Sequence, residues 1–130
     1  LTATDPSDFQ FKSAMGLSCP DDANCDAKYA GFFNQVYGAA KRYQYYVRHE
    51  SQYAYHAGAL NYVRYNPNAG CGGSDVYIEN KATALLYIYT PYQPNEAALK
   101  AGAGEGDACS TYGNRNFAII YNSMFGNPRD

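Results

Sequence analysis

The residues best suited to hold a flat, hydroxyl-rich ring gather in one stretch, Ala82-Thr83-Ala84-Leu85-Leu86-Tyr87-Ile88-Tyr89-Thr90-Pro91-Tyr92-Gln93-Pro94-Asn95. A short apolar helix signal runs there into a loop of tyrosines, an amide and two prolines. Proline fixes the backbone, while tyrosine and glutamine each offer an apolar face with a polar edge, the chemistry a sugar ring asks of its binder. Tyr87, Tyr89, Tyr92 and Gln93 are therefore candidate saccharide contacts, joined by Tyr112 and by Asn114 at the start of the last expected helix. Tyrosines at helical spacing also pack cores, which is the competing reading for Tyr87 and Tyr89; Tyr92 follows a proline in a loop and suits a ligand better. Asn34 and Gln35 sit amid apolar residues of a long helix, where a buried amide needs partners to offset its desolvation. They are either core hydrogen-bonders or the floor of a groove.

Among the acids, Glu79 follows Ile78 on the strand face opposite Val76 and Ile78 and precedes a helix start, where unpaired N–H groups favour an anion. It is a helix-start charge or, in the sharper reading, a general acid beside Tyr77 and the Tyr87 to Gln93 loop. Glu50 ends the long helix with Arg48 and His49 and reads as a solvated end. Glu105 and Asp107 lie in a glycine-rich loop and read as exposed, although a loop over a groove can carry an acid to substrate. No serine nucleophile with a G-x-S-x-G turn, phosphate loop, EF-hand or metalloprotease helix occurs.

Those side chains need elements to position them. Asp5-Pro6 predicts the start of a short helix ending at Gly16, with Phe9 and Ala14 facing inward. Tyr29, Phe32, Phe33, Val36, Tyr37, Ala40, Tyr43 and Val47 recur at steps of three and four, predicting a long helix from Ala27 to Val47 capped by Asp26. Leu60 to Tyr65 and Val76 to Ile78 read as strands of a small hairpin around the turn-rich Asn66 to Gly73 segment. Further helices are expected over Asn80 to Tyr89, Pro94 to Lys100 and Asn114 to Phe125, the last with Phe117, Ile120, Tyr121 and Met124 on one face and Gly126 at its end. The class is α+β, mainly helical, with a single domain over residues 1–130.

Composition narrows the partners. The chain carries 15 Tyr and 6 Phe but no Trp, so much of the core is expected to be tyrosine rings. With 17% charged residues and a formal net charge of -2, nothing favours nucleic acid or an anionic membrane, and a neutral polyhydroxylated partner fits better. No apolar run is long enough for membrane insertion, and Leu1 to Pro6 has no leader-like pattern. Cys19, Cys25, Cys71 and Cys109 lack C-x-x-C spacing and only two histidines accompany them, so disulfides are expected, with no metal or other cofactor. Cys19 with Cys25 and Cys71 with Cys109 is the preferred pairing, though sequence leaves the others open; if the pairs form, the protein works outside the cytoplasm.

Ala14-Met15-Gly16, Cys19-Pro20-Asp21, Gly31-Phe32-Phe33-Asn34-Gln35-Val36-Tyr37, Asn66-Pro67-Asn68 before Cys71-Gly72, the Tyr87 to Asn95 loop and Tyr112-Gly113-Asn114-Arg115-Asn116-Phe117 together resemble secreted bacterial cell-wall proteins labelled hemagglutinins. These look lysozyme-like, and Ala82 to Pro91 is similar to the segment lining the glycan groove of lytic transglycosylases. The resemblance implies binding and cleavage of peptidoglycan glycan strands, with one glutamic acid protonating the leaving oxygen and Gln35 among the sugar-facing or structure-locking amides. The family's acid falls upstream of the position matching Leu1-Thr2, so the chain reads as a piece of a longer enzyme or as a binding domain, unless Glu79 supplies the proton. A non-catalytic lectin and an extracellular assembly protein with tyrosine-mediated subunit contacts are the alternatives.

Overall fold

The structure, a computed structural model, describes residues 3–20 and 23–127. The chain forms two compact units, Leu1–His49 and Glu50–Asp130. Among the described residues, five α-helices and one antiparallel pair of strands make an α+β, mainly helical fold.

In the first unit, α1 (Asp8–Lys12) begins at Ser7 rather than at Asp5-Pro6. The Ser7 hydroxyl accepts from Gln10 N at 3.2 Å while Gln10 Oε1 accepts from Ser7 N at 2.9 Å, and this reciprocal cap sets the start. The helix expected from Ala27 is two pieces. Asp26 caps a single 3-10 turn at Ala27–Tyr29, and α2 (Phe32–Arg48) starts only after Gly31, whose φ of 95° is a backbone state that interrupts the helix.

The face of α2 that is buried is also not the expected one. Gln35, Ala39 and Tyr46 are buried, whereas Phe32, Val36, Tyr37, Ala40 and Val47 are exposed and Phe33 is 71% exposed. Gln35 explains the rotation, because an amide buried at 0% exposure must meet its partners inside, and all of its named partners lie there. The outward rings cover one another instead: Phe33 stacks on Tyr37 at 5.3 Å, and Phe32 meets Phe11 of α1 edge-on at 6.4 Å. Phe9, expected inward, is 68% exposed. Cys19 and Cys25 are bridged; Asp21 and Asp22 of the enclosed loop lie outside the described residues.

In the second unit, β1 (Ala59–Arg64) and β2 (Gly73–Ile78) pair antiparallel from Ala59 opposite Ile78 to Arg64 opposite Gly73. Alternation turns Asn61, Val63 and Ile78 inward and leaves Leu60, Tyr62 and Tyr77 outward. The connection between the strands carries Cys71, which is bridged to Cys109. Next come α3 (Lys81–Tyr89), capped by Asn80, α4 (Glu96–Lys100), capped by Asn95, and α5 (Gly113–Phe125), ended by Gly126 at φ 79°. The apolar face of α5 is there, but Phe117, Tyr121 and Met124 are exposed on it, and the buried residue of the helix is Arg115. Nor is the core made of tyrosine: Tyr46 is the one buried ring among the described tyrosines, beside Leu17 and Ala39 in the first unit and Val63, Ile78, Ala84 and Ala98 in the second.

Candidate functional site

Three amides singled out by the sequence hold backbone. Gln35 Oε1 accepts from Met15 N at 3.1 Å and Leu17 N at 3.0 Å, and its Nε2 donates to Leu17 O at 2.9 Å and Tyr29 O at 2.8 Å. Both donors and both acceptor positions of the amide are thus engaged. Gln93 Nε2 donates to Val63 O, Ser74 O and Ser74 Oγ at 2.8, 3.1 and 2.9 Å, tying the loop after α3 to the hairpin at the end where its two strands are connected. Its own N–H reaches Arg64 O at 2.9 Å. Asn114 Nδ2 donates to Thr90 O at 2.8 Å and Tyr92 O at 2.7 Å, holding the same loop from the start of α5. Neither Asn114 nor Asn116 caps α5: Asn116 Oδ1 instead accepts from Arg115 Nε and Nη2, both at 3.1 Å.

The tyrosines of this region divide by surroundings. Tyr87 is half-buried with its ring 6.0 Å from that of Tyr55, and burial first, then Tyr55, raises the pKa of its hydroxyl. The Tyr55 hydroxyl is also pushed up, by burial and then by Tyr92, against a lowering from Arg64, and it donates to Pro91 O at 3.4 Å. Tyr87, Tyr92, Tyr55 and Arg64 therefore form one neighbourhood beside the loop. Tyr89 is half-buried on α3. The Tyr112 hydroxyl accepts from Gly106 N at 2.9 Å, and the Arg115 guanidinium covers its ring at 4.5 Å, so one face of this platform is already occupied.

Two clefts open in this unit. The smaller, about 230 Å³, has an apolar floor of Ala84, Leu85 and Ile88 under Tyr55, with Glu50 and Lys81 paired at 3.1 Å on its rim. The larger, about 570 Å³, is lined by Tyr65, Asn95, Glu96, Lys100, Asp107 and the Cys71–Cys109 bridge. Its walls are built by local chemistry. Asn95 caps α4 by accepting Ala98 N at 2.9 Å, and the same Oδ1 accepts the Ser110 hydroxyl at 2.8 Å. Asp107 Oδ1 accepts from Asn95 Nδ2 at 2.9 Å, Cys109 N at 3.0 Å and Ser110 Oγ at 3.1 Å, the Cys109 bond closing an Asx turn that sets the cysteine. Hydrogen bonds from Asn95 and then Ser110 hold the Asp107 carboxyl below its ordinary value of 3.8 despite some desolvation. Gly106 lets this turn lie on α4: a Cβ there would come within 2.9 Å of Ala97 C and Ala98 N.

The structure thus brings Tyr87, Tyr92, Gln93 and Asn114 together around one loop, with the amides spent on backbone. Asn34, an exposed residue of α2 that donates to Ala30 O at 2.9 Å, and Gln35 belong to the first unit. Glu79 is exposed between β2 and Asn80 and lines neither cleft. The larger cleft draws on Tyr65, Glu96 and Lys100, which no motif marked, and on Asn95, the last residue of the tyrosine-rich loop. The available signals were the Pro94-Asn95-Glu96 helix start and the pairing of Cys71 with Cys109, which together put Tyr65, Asn95 and Asp107 on one perimeter. No protein-family model, curated protein or solved structure matches the chain.

Proposed function

We propose that the chain binds saccharide, the glycan strand of bacterial cell-wall peptidoglycan, in the larger cleft of its second unit. One observation carries this reading: a cleft of about 570 Å³ is lined both by an aromatic residue, Tyr65, and by an ordered amide and carboxylate, Asn95 and Asp107. That volume suits a sugar-sized ligand, and the wall combines an apolar surface with fixed hydrogen-bonding groups. Preordering by the α4 cap, the Asx turn and the disulfide lowers the entropy lost on binding. The bacterial wall glycan, rather than another saccharide, is favoured by the resemblance of six sequence segments to cell-wall hemagglutinins. The two disulfides fit an oxidising location outside the cytoplasm, in keeping with a secreted or wall-associated protein.

Binding, not cleavage, is what the geometry favours. Asp107 is held ionised, the opposite of what donating a proton to a glycosidic oxygen requires, and Glu79 is exposed between β2 and α3. The test is sedimentation of the chain with purified insoluble peptidoglycan, with mass spectrometry of the supernatant. Retention by the wall that is lost in Tyr65→Ala, with no soluble fragments, is the expected result. Muropeptides released by the native chain but not by Glu79→Gln would make it a glycosidase. No retention at all would overturn the reading.

A further inference from the structure

We infer that the larger cleft selects a saccharide bearing a free primary ammonium, a de-N-acetylated amino sugar, over its N-acetylated counterpart. The inference rests on the saccharide reading above and adds the charge class of the ligand. Glu96 and Lys100 line the cleft as an ion pair at 2.6 Å and largely cancel each other. Asp107 is different. Its named partners are an amide, a hydroxyl and a backbone N–H, and among the described residues no lysine, arginine or histidine lies within ion-pair distance of it. Neutral donors fix the carboxylate without neutralising it, so among the described residues its negative charge stays uncompensated at the exposed lining of the cleft.

The position of those bonds matters as much as their chemistry. All three end on Oδ1, which leaves the accepting capacity of the carboxylate concentrated on Oδ2. An ammonium offers three donors and a positive charge to such an oxygen, and a charge-assisted bond is shorter and stronger than a neutral one. An acetamido group offers one neutral N–H and the bulk of an acetyl. With Tyr65 on the wall and Asn95 held in the same network, a pyranose can lie against the ring and present its amine to Asp107.

The preference should be modest, because the carboxylate is exposed to solvent and exposed ion pairs contribute little. Calorimetric titration with glucosamine oligomers and with N-acetylglucosamine oligomers of equal length, at mildly acidic pH, should give a dissociation constant about three- to fivefold lower for the free-amine series. Asp107→Asn should abolish that ratio while N-acetylated binding persists. Lys100→Met, a substitution on the exposed side of α4, should widen the ratio by releasing the Glu96 charge, and it tests the idea even if Asp107→Asn disturbs the turn. Equal affinities in the native chain, or a ratio indifferent to both variants, would overturn the inference and leave saccharide binding standing. Failure of both series to bind would overturn the reading beneath it.

Discussion

At the scale of single residues, the buried amide Gln35 decides more than any aromatic side chain around it. With its four hydrogen bonds closing the segment from Met15 to Leu17 onto α2, Gln35→Ala should cost about 3 kcal/mol, since two backbone N–H groups lose their acceptor and a void remains. Chemical denaturation should register that loss while wall binding of the folded fraction stays unchanged; lost binding at unchanged stability would make Gln35 a ligand contact after all. Asp107 carries a pH signature. Its folded pKa lies below the ordinary 3.8, so the stability it contributes is present above that value and is lost as pH falls through the folded pKa. Melting curves of Asp107→Asn and the native chain should therefore differ at neutral pH and converge in strong acid. Tyr43 has the opposite sense: burial, then Tyr46, pushes its hydroxyl up to about 12. The corresponding stability is intact below 10 and fades as pH rises through 12, so Tyr43→Phe should narrow the loss of stability in alkali, as followed by the ultraviolet absorbance of phenolate.

At the scale of elements, the loop between α3 and α4 is held by side chains that reach it from outside. Gln93→Ala removes three contacts to the hairpin end and should raise amide exchange across residues 90–95 without unfolding the strands; unchanged exchange would show that the Asn114 contacts suffice. Much of this level was legible in sequence. The hairpin, α3, α4 and α5 lie close to where turn residues, caps and prolines put them, because those signals act within a few residues; β2 begins three residues earlier than expected, at Gly73, and α5 starts without a side-chain cap. The facing of α2 was not legible. Its apolar positions at steps of three and four pointed to one stripe, but Gln35 and Ala39 turn the helix so that Phe33 and Tyr37 stack outside. One buried amide with long-range partners outweighs several rings, and periodicity cannot see partners at Met15 and Leu17. The same blindness hid the cleft. Tyr65 and Asp107 are far apart in sequence and share a wall only through the bridge and the α4 cap, while Gln93 and Asn114, chosen for their chemistry, proved to hold backbone.

At the scale of the whole chain, the small net charge and the pairing of Glu96 with Lys100 predict that retention on N-acetylated wall glycan is nearly unchanged when ionic strength is raised tenfold. A steep loss of retention would mean that charge, not the sugar, holds the protein to the wall. The two bridges differ in what they constrain. Cys71 and Cys109 lie 38 residues apart and Cys19 and Cys25 lie 6 apart, so removal of the first should cost about 4 kcal/mol and of the second about 2 kcal/mol on chain-entropy grounds. Paired serine substitutions compared by thermal melting would test that order. The longer bridge also closes the perimeter of the cleft, with Cys71 from the hairpin connection on one side and Cys109 from the Asp107 turn on the other. If this cleft is the binding site proposed above, formation of the bridge bears on recognition as well as on stability. With Cys71 and Cys109 reduced, the two sides would lose their covalent tie; oxidation supplies it. On the reading proposed above, a binder built in this way would have its cleft perimeter closed only in oxidising surroundings, the kind in which the proposed ligand lies.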